Sequence, residues 1–217
     1  MNVDGLIQKY FNNDTKLSKI YVFDNDSIHH VYTEIVNLLR NSPEIELSIL
    51  QALSYCFYEL LDNVLTHSNK ICGTVITRFV KEKSLIQILV ADDGVGVRAS
   101  LAENPLFKDI SEPEAIEKCI QDKVTDGKGM GFGLYSTACL MRNAGLHFEI
   151  HSGSSKLIHN GENKTYTDTE YWQGTIVYLE IQSDKEIDPD EVLEYRTSAQ
   201  DEFNEMFLDT EELDDLW

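Results

Sequence analysis

From Gly127 to Leu134 the chain reads Gly-Lys-Gly-Met-Gly-Phe-Gly-Leu, four glycines at alternate positions directly before a stretch with helical spacing. Alternating glycines free the backbone amides to face one point, and the helix N-terminus behind them favours negative charge by roughly 0.3–1 kcal/mol. The Lys128 ammonium adds a charge-assisted contact for a phosphate. No Lys-Ser/Thr pair closes the run, so it is not a P-loop, and no strand leads directly into it, so it is not the dinucleotide fingerprint. An anion cradle and a flexible hinge are the two readings left.

Two upstream patterns bear on that choice. The sequence predicts a helix from about Glu46 to Thr66, with Leu50, Leu53, Phe57, Leu60, Leu61 and Val64 on one face at about 100° per residue. Glu59, Asn63 and His67 stand at i, i+4 and i+8 and form a polar stripe, with Asp62 and Thr66 beside it. An amide oxygen at Asn63 is a suitable ligand for Mg²⁺, and a carboxylate one turn earlier at Glu59 can orient or deprotonate a water or hydroxyl. Taken alone, the stripe also fits the solvated side of an amphipathic helix.

The second pattern is Val90-Ala-Asp-Asp-Gly-Val-Gly-Val97, an apolar strand ending in two aspartates and two spaced glycines. Asp92 at the strand end can accept a hydrogen bond from an adenine amino group. Gly94 and Gly96 let the backbone approach a ring where a Cβ would clash. A tight turn with two capping aspartates is the alternative.

The rest of the chain gives the order of elements. Ile20–Phe23 reads as a short strand after a polar start, and a helix follows Asp24–Ser27 and stops at Asn41-Ser-Pro43. Thr74–Val80 and Leu85–Ala91 form a hairpin signal across Lys81–Ser84. Val97–Lys128 is a polar connection holding one helix, Pro113–Lys123, and connections of this length are usually functional. A helix over Phe132–Asn143 stops at Gly145. Strands follow near Leu146–Ser152, Lys156–His159, Thr165–Thr169 and Thr175–Ile181, with Asn160-Gly161 as a turn. This order predicts an α+β, two-layer sandwich.

Charge narrows the partners. The 217 residues carry a formal net charge of -20. Asp184–Trp217 holds 14 acidic and 2 basic residues and so supplies -12 of it. Such a surface repels nucleic-acid phosphate and favours a protein partner. Phe203, Met206, Phe207, Leu213, Leu216 and Trp217 lie among those carboxylates at partly helical spacing. They fit an acidic helix that docks on a partner, a helix packed on its own domain, or a disordered tail. Cys56, Cys72, Cys119 and Cys139 form no CxxC pair and no zinc spacing. Free thiols, no apolar run of membrane-spanning length and no signal-peptide pattern lead to the expectation of a cytoplasmic protein.

Glu59-x-x-x-Asn63-x-x-x-His67, Asp92-x-Gly94-x-Gly96 and the Gly-x-Gly-x-Gly stretch before a helix resemble, in order and spacing, the motifs of the GHKL superfamily, which includes the ATP-binding domains of gyrase, Hsp90, histidine kinases and MutL. Gly174-Thr175 resembles that family's last motif. The resemblance spans about Ile20 to Gln182 and implies a Bergerat fold, a mixed, mostly antiparallel sheet with helices on one face. It implies an ATP-binding domain 20–183 with an ATP lid at 97–128, which leaves an N-terminal segment 1–19 and an acidic C-terminal tail 184–217 whose spacing predicts a helix.

The resemblance also implies ATP and Mg²⁺ as cofactors. Asn63 would ligate Mg²⁺ and Glu59 would be the general base. Asp92, supported by Thr175, would read adenine, with Gly94 and Gly96 packed against the base. Gly129, Gly131 and Gly133, with Met130, Phe132 and Leu134 between and after them, would hold the phosphates, and Lys128 is a further phosphate candidate. His67 would be structural or close to the phosphates.

His29 and His30 lack the acidic residue and proline that follow a histidine-kinase phosphoacceptor. The gyrase-like and MutL-like members use a lysine from a second domain, for which 217 residues leave no room. The strand and helix over Ile20–Arg40 resemble the small anti-sigma and switch kinases, which phosphorylate Ser or Thr on a STAS-domain partner and are homodimers in some cases. A nucleotide-gated binding module and a slow ATPase within a larger complex are the alternatives. The long lid and the acidic tail depart from that pattern.

Overall fold

The computed structural model describes residues 2–12, 18–128, 131, 133–160 and 163–193. Five strands form one sheet in the order β1-β2-β3-β5-β4, antiparallel at every pairing. They are β1 (Lys19–Asp24), β2 (Cys72–Val80), β3 (Leu85–Ala91), β4 (Gly145–Asn160) and β5 (Asn163–Gln182). The main layer on one face is α2 (Ile28–Arg40), α3 (Leu47–His67) and α6 (Gly133–Ala144). This is the expected α+β sandwich, and α3 carries the predicted apolar face, with Leu50, Leu53, Phe57, Leu60, Leu61 and Val64 all buried.

The strands bury both faces. Val75, Ile88, Val90, Val177 and Leu179 point into the helical layer, while Ile76, Leu89, Ala91, Ile176 and Tyr178 point the other way, as the period of two requires. The second face is covered by α1 (Val3–Tyr10), from the stretch that reads as a polar start. Leu6, Ile7 and Tyr10 of this helix, with Phe11, are buried there. Eight residues are too few for a stable helix in water. Burial of these side chains, worth about 1.5–3 kcal/mol each, holds it in place.

The polar connection 97–128 carries more structure than one helix. It holds α4 (Val97–Leu101), a 3₁₀ turn at Pro105–Phe107 and α5 (Glu112–Lys118). Ser111 and Glu114 close a capping box at the start of α5, which begins one residue before the predicted Pro113 and ends at Lys118, five residues short of the predicted Lys123. Val97, Leu101, Ala115, Ile116 and Ile120 are buried in the main core, so much of this segment is anchored. The four short strands predicted after Gly145 are two long ones, β4 and β5, paired from Gly145 to the Asn160–Asn163 hairpin and irregular only around Ser152–Ser155 and at Gly145–His147. Gly145 starts β4 directly after α6. A short helix, α7 (Pro189–Leu193), opens the acidic segment and buries Val192 in the main core. Residues 194–217 lie outside the described residues.

Candidate functional site

A cavity of about 530 Å³ opens between α3, the strand ends of β3 and β5, and the 97–128 segment. The pairing β2-β3-β5 sets the C-terminal end of β3 beside Thr175 on β5, where the Asp92 N–H donates to the Thr175 carbonyl at 2.9 Å. Glu59, Asn63 and His67 lie on the α3 wall, as their spacing predicts, and Asp92, Gly96 and Thr175 lie on the sheet side. Val90, Val97, Leu101 and Val177 give that side an apolar surface. A flat heterocycle with a polar edge suits these walls.

Asp92 is 3% exposed. Its Oδ1 accepts the Gly94 N–H at 2.7 Å. Burial pushes its carboxyl up to about 6, against the pull of hydrogen bonds from the Gly94 and Thr175 backbones. A buried, partly desolvated carboxylate of this kind gains strongly from a donor such as an exocyclic amine. Gly94 sits behind Asp92 and off the cavity wall, where a Cβ would overlap the Ser68 carbonyl. Gly96 is on the wall with φ +80, and a Cβ there would lie 2.6 Å from Ser152 Oγ. That hydroxyl accepts the Val97 N–H at 2.9 Å and donates to the Gly174 carbonyl at 2.7 Å, which joins the 92–97 turn to β4 and β5.

At the other end of the cavity, Gly133 starts α6 against the polar stripe of α3. A Cβ at Gly133 would lie 2.8 Å from Glu59 Oε2 and 3.0 Å from Asn63 Nδ2. The Asn63 amide nitrogen is buried with no hydrogen-bond partner, and the residue lines the cavity. Gly131, with φ +76, and Leu134 also line the cavity. Gly129, Met130 and Phe132 lie outside the described residues.

Sequence reasoning missed Asp126, whose carboxylate is a hub at the end of the 97–128 segment. Its Oδ2 accepts from His67 Nδ1 and from Ser100 Oγ, each at 2.7 Å, and its Oδ1 accepts the Lys128 N–H at 2.9 Å. Burial alone would raise this carboxyl, yet these donors hold it below the usual range. Lys128 Nζ pairs with Glu103 Oε2 at 2.9 Å and stands 4.0 Å from Asp126 Oδ2. The only linear signal for Asp126 is its position just before Gly127-Lys128.

A Bergerat-type sandwich with this cavity defines a nucleotide-binding domain. The family described as histidine kinase-, DNA gyrase B- and HSP90-like ATPase matches residues 49–185, more than half of the chain, and the chain belongs to it. ATP binding is the function that this membership carries. No curated protein matches the chain. Among the described residues, no helix is long and apolar enough to cross a membrane.

Proposed function

We propose that the chain is a Mg²⁺-dependent serine/threonine protein kinase of the anti-sigma or switch type, acting on a STAS-like protein. The observation behind this reading is that Glu59 and Asn63 stand one helical turn apart on the cavity wall, both against Gly133, the first residue of α6. Asp92 accepts the adenine amino group, Thr175 and Gly96 border the base, and Gly131 and Gly133 let the backbone come close to the phosphates. Lys128 exchanges its Glu103 partner for phosphate. Asn63 supplies the protein ligand for Mg²⁺, which neutralises phosphate charge when bound. Glu59 accepts the proton of a serine or threonine hydroxyl as its oxygen attacks the γ-phosphorus and ADP leaves.

The second reading is a nucleotide-gated binding module, and the Asp126 hub favours it, because that carboxylate joins the lid to the cavity wall and lets ligand binding act on the lid. One experiment separates the two. The protein is incubated with γ-labelled ATP, Mg²⁺ and a STAS-domain protein, with Glu59→Gln beside it. The kinase reading expects label on serine or threonine with wild type, and none with Glu59→Gln despite intact ATP binding. ATP binding without any transfer leaves the gated module.

A further inference from the structure

The helix α1 lies outside the residues matched by the family, yet it backs the adenine end of the cavity. Leu6, Ile7, Tyr10 and Phe11 pack on Ala91 and Ile176, the direct neighbours of Asp92 and Thr175 in the chain. Val3 and Trp172 are packed at the margin of the same cluster. The Trp172 indole Nε1 donates to the Asp92 carbonyl at 3.1 Å, and Gln173 Nε2 donates to the Gly94 carbonyl. Gly174, with φ +97, lets β5 pass so close that a Cβ would lie 2.6 Å from Asp92 Oδ1. Residues 172–174 thus grip the backbone of 92–94 from behind.

We propose that Trp172 is a positioning residue for nucleotide binding, held in place by α1. The inference rests on the assignment of Asp92 to the base. A hydrogen bond to the Asp92 carbonyl fixes its peptide plane and therefore the direction of its carboxylate. Trp172 packs at the margin of the apolar cluster that α1 completes, so removal of α1 would loosen the surface on which the indole rests. The grip acts on the base and leaves the phosphate end untouched, because Glu59, Asn63 and Gly133 stand on the opposite side of the cavity, on α3 and α6.

The test compares ATP with inosine triphosphate, which lacks the amino group that Asp92 would accept. Trp172→Phe keeps most of the ring and removes the N–H. The proposal expects Trp172→Phe to melt as wild type does without nucleotide, and to bind ATP about five- to tenfold more weakly, the range of one hydrogen bond. Its affinity for inosine triphosphate should stay unchanged, so that the ratio between the two narrows. Leu6→Ala combined with Ile7→Ala should narrow the ratio in the same way, and should carry the comparison alone if Trp172→Phe does not fold. Unchanged ATP affinity, or equal losses for both nucleotides, would overturn the proposal. Wild type that binds ATP and inosine triphosphate equally would instead overturn the assignment of Asp92 to the base.

Discussion

His67 Nδ1 lies 2.7 Å from Asp126 Oδ2 and ties the last turn of α3 to the end of the 97–128 segment. The Asp126 side chain is 1% exposed and that of His67 25%. Ser100 Oγ and the Lys128 N–H share the same carboxylate, so one side chain joins α3, α4 and the start of the glycine-rich stretch. Buried charges persist where donors surround them, and removal of the acceptor leaves several donors unsatisfied at once.

Asp126→Ala should therefore destabilise the protein by about 1–3 kcal/mol, measured by chemical unfolding. Limited proteolysis should cut within 97–128 faster than in wild type. His67→Ala should have a smaller effect, because its ring is partly solvated. Cleavage rates equal to wild type in both variants would mean that this contact does not restrain the 97–128 segment.

Asp92 should give the domain a pH dependence of its own. Burial raises its folded pKa from 3.8 to about 6. The folded state then holds a proton that the unfolded chain has lost, so this group's stabilisation is full below about 3.8 and is lost as pH rises through about 6. The difference is on the order of 3 kcal/mol. ATP affinity should run the other way and weaken as pH falls below about 6, because the protonated carboxyl is a poorer acceptor. Calorimetric titrations at pH 5 and 7.5 check this, and Asp92→Asn should bind ATP weakly at both.

Glu149 should dominate at lower pH. Burial alone would raise its carboxyl, but the His147 ring 3.8 Å away, the Tyr10 hydroxyl and the Lys156 ammonium at 2.9 Å outweigh burial and hold it at about 2. Its stabilisation is present above the unfolded value near 4.5 and is lost as pH falls toward 2, on the order of 3 kcal/mol in all. Because Tyr10 belongs to α1, exchange of the α1 amides should rise over that window before the main core opens.

Two glycines should fail in different ways. Gly174→Ala forces a side chain into φ +97 and onto the Asp92 backbone, and should cost about 1–3 kcal/mol or more of stability. Gly133→Ala meets the Glu59 carboxylate, the Asn63 amide and, at 3.1 Å, the Glu59 Cβ, so the start of α6 must move away from α3. It should lose most ATP affinity, with a smaller loss of stability than Gly174→Ala. Melting curves with and without ATP distinguish the two outcomes.

Legibility from the sequence followed the range of the interactions. The face of α3, the β2-β3 hairpin and the spacings Glu59-Asn63-His67 and Asp92-Gly94-Gly96 depend on residues a few positions apart, where helical or strand periodicity acts. These local patterns account for the α3 wall of the cavity and for the turn that closes its sheet side. Tertiary pairing decided the remainder. Val3, Leu6, Ile7 and Tyr10 of α1 stand at i, i+3, i+4 and i+7, a helical signal only two turns long in a polar stretch, and its meaning comes from a sheet face assembled from three strands. The partner of His67 stands 59 residues away and that of Trp172 80 residues away. A period of two states which side chains share a face, but not which strand lies next to it, so contacts across the sheet exist only once β3 and β5 have paired.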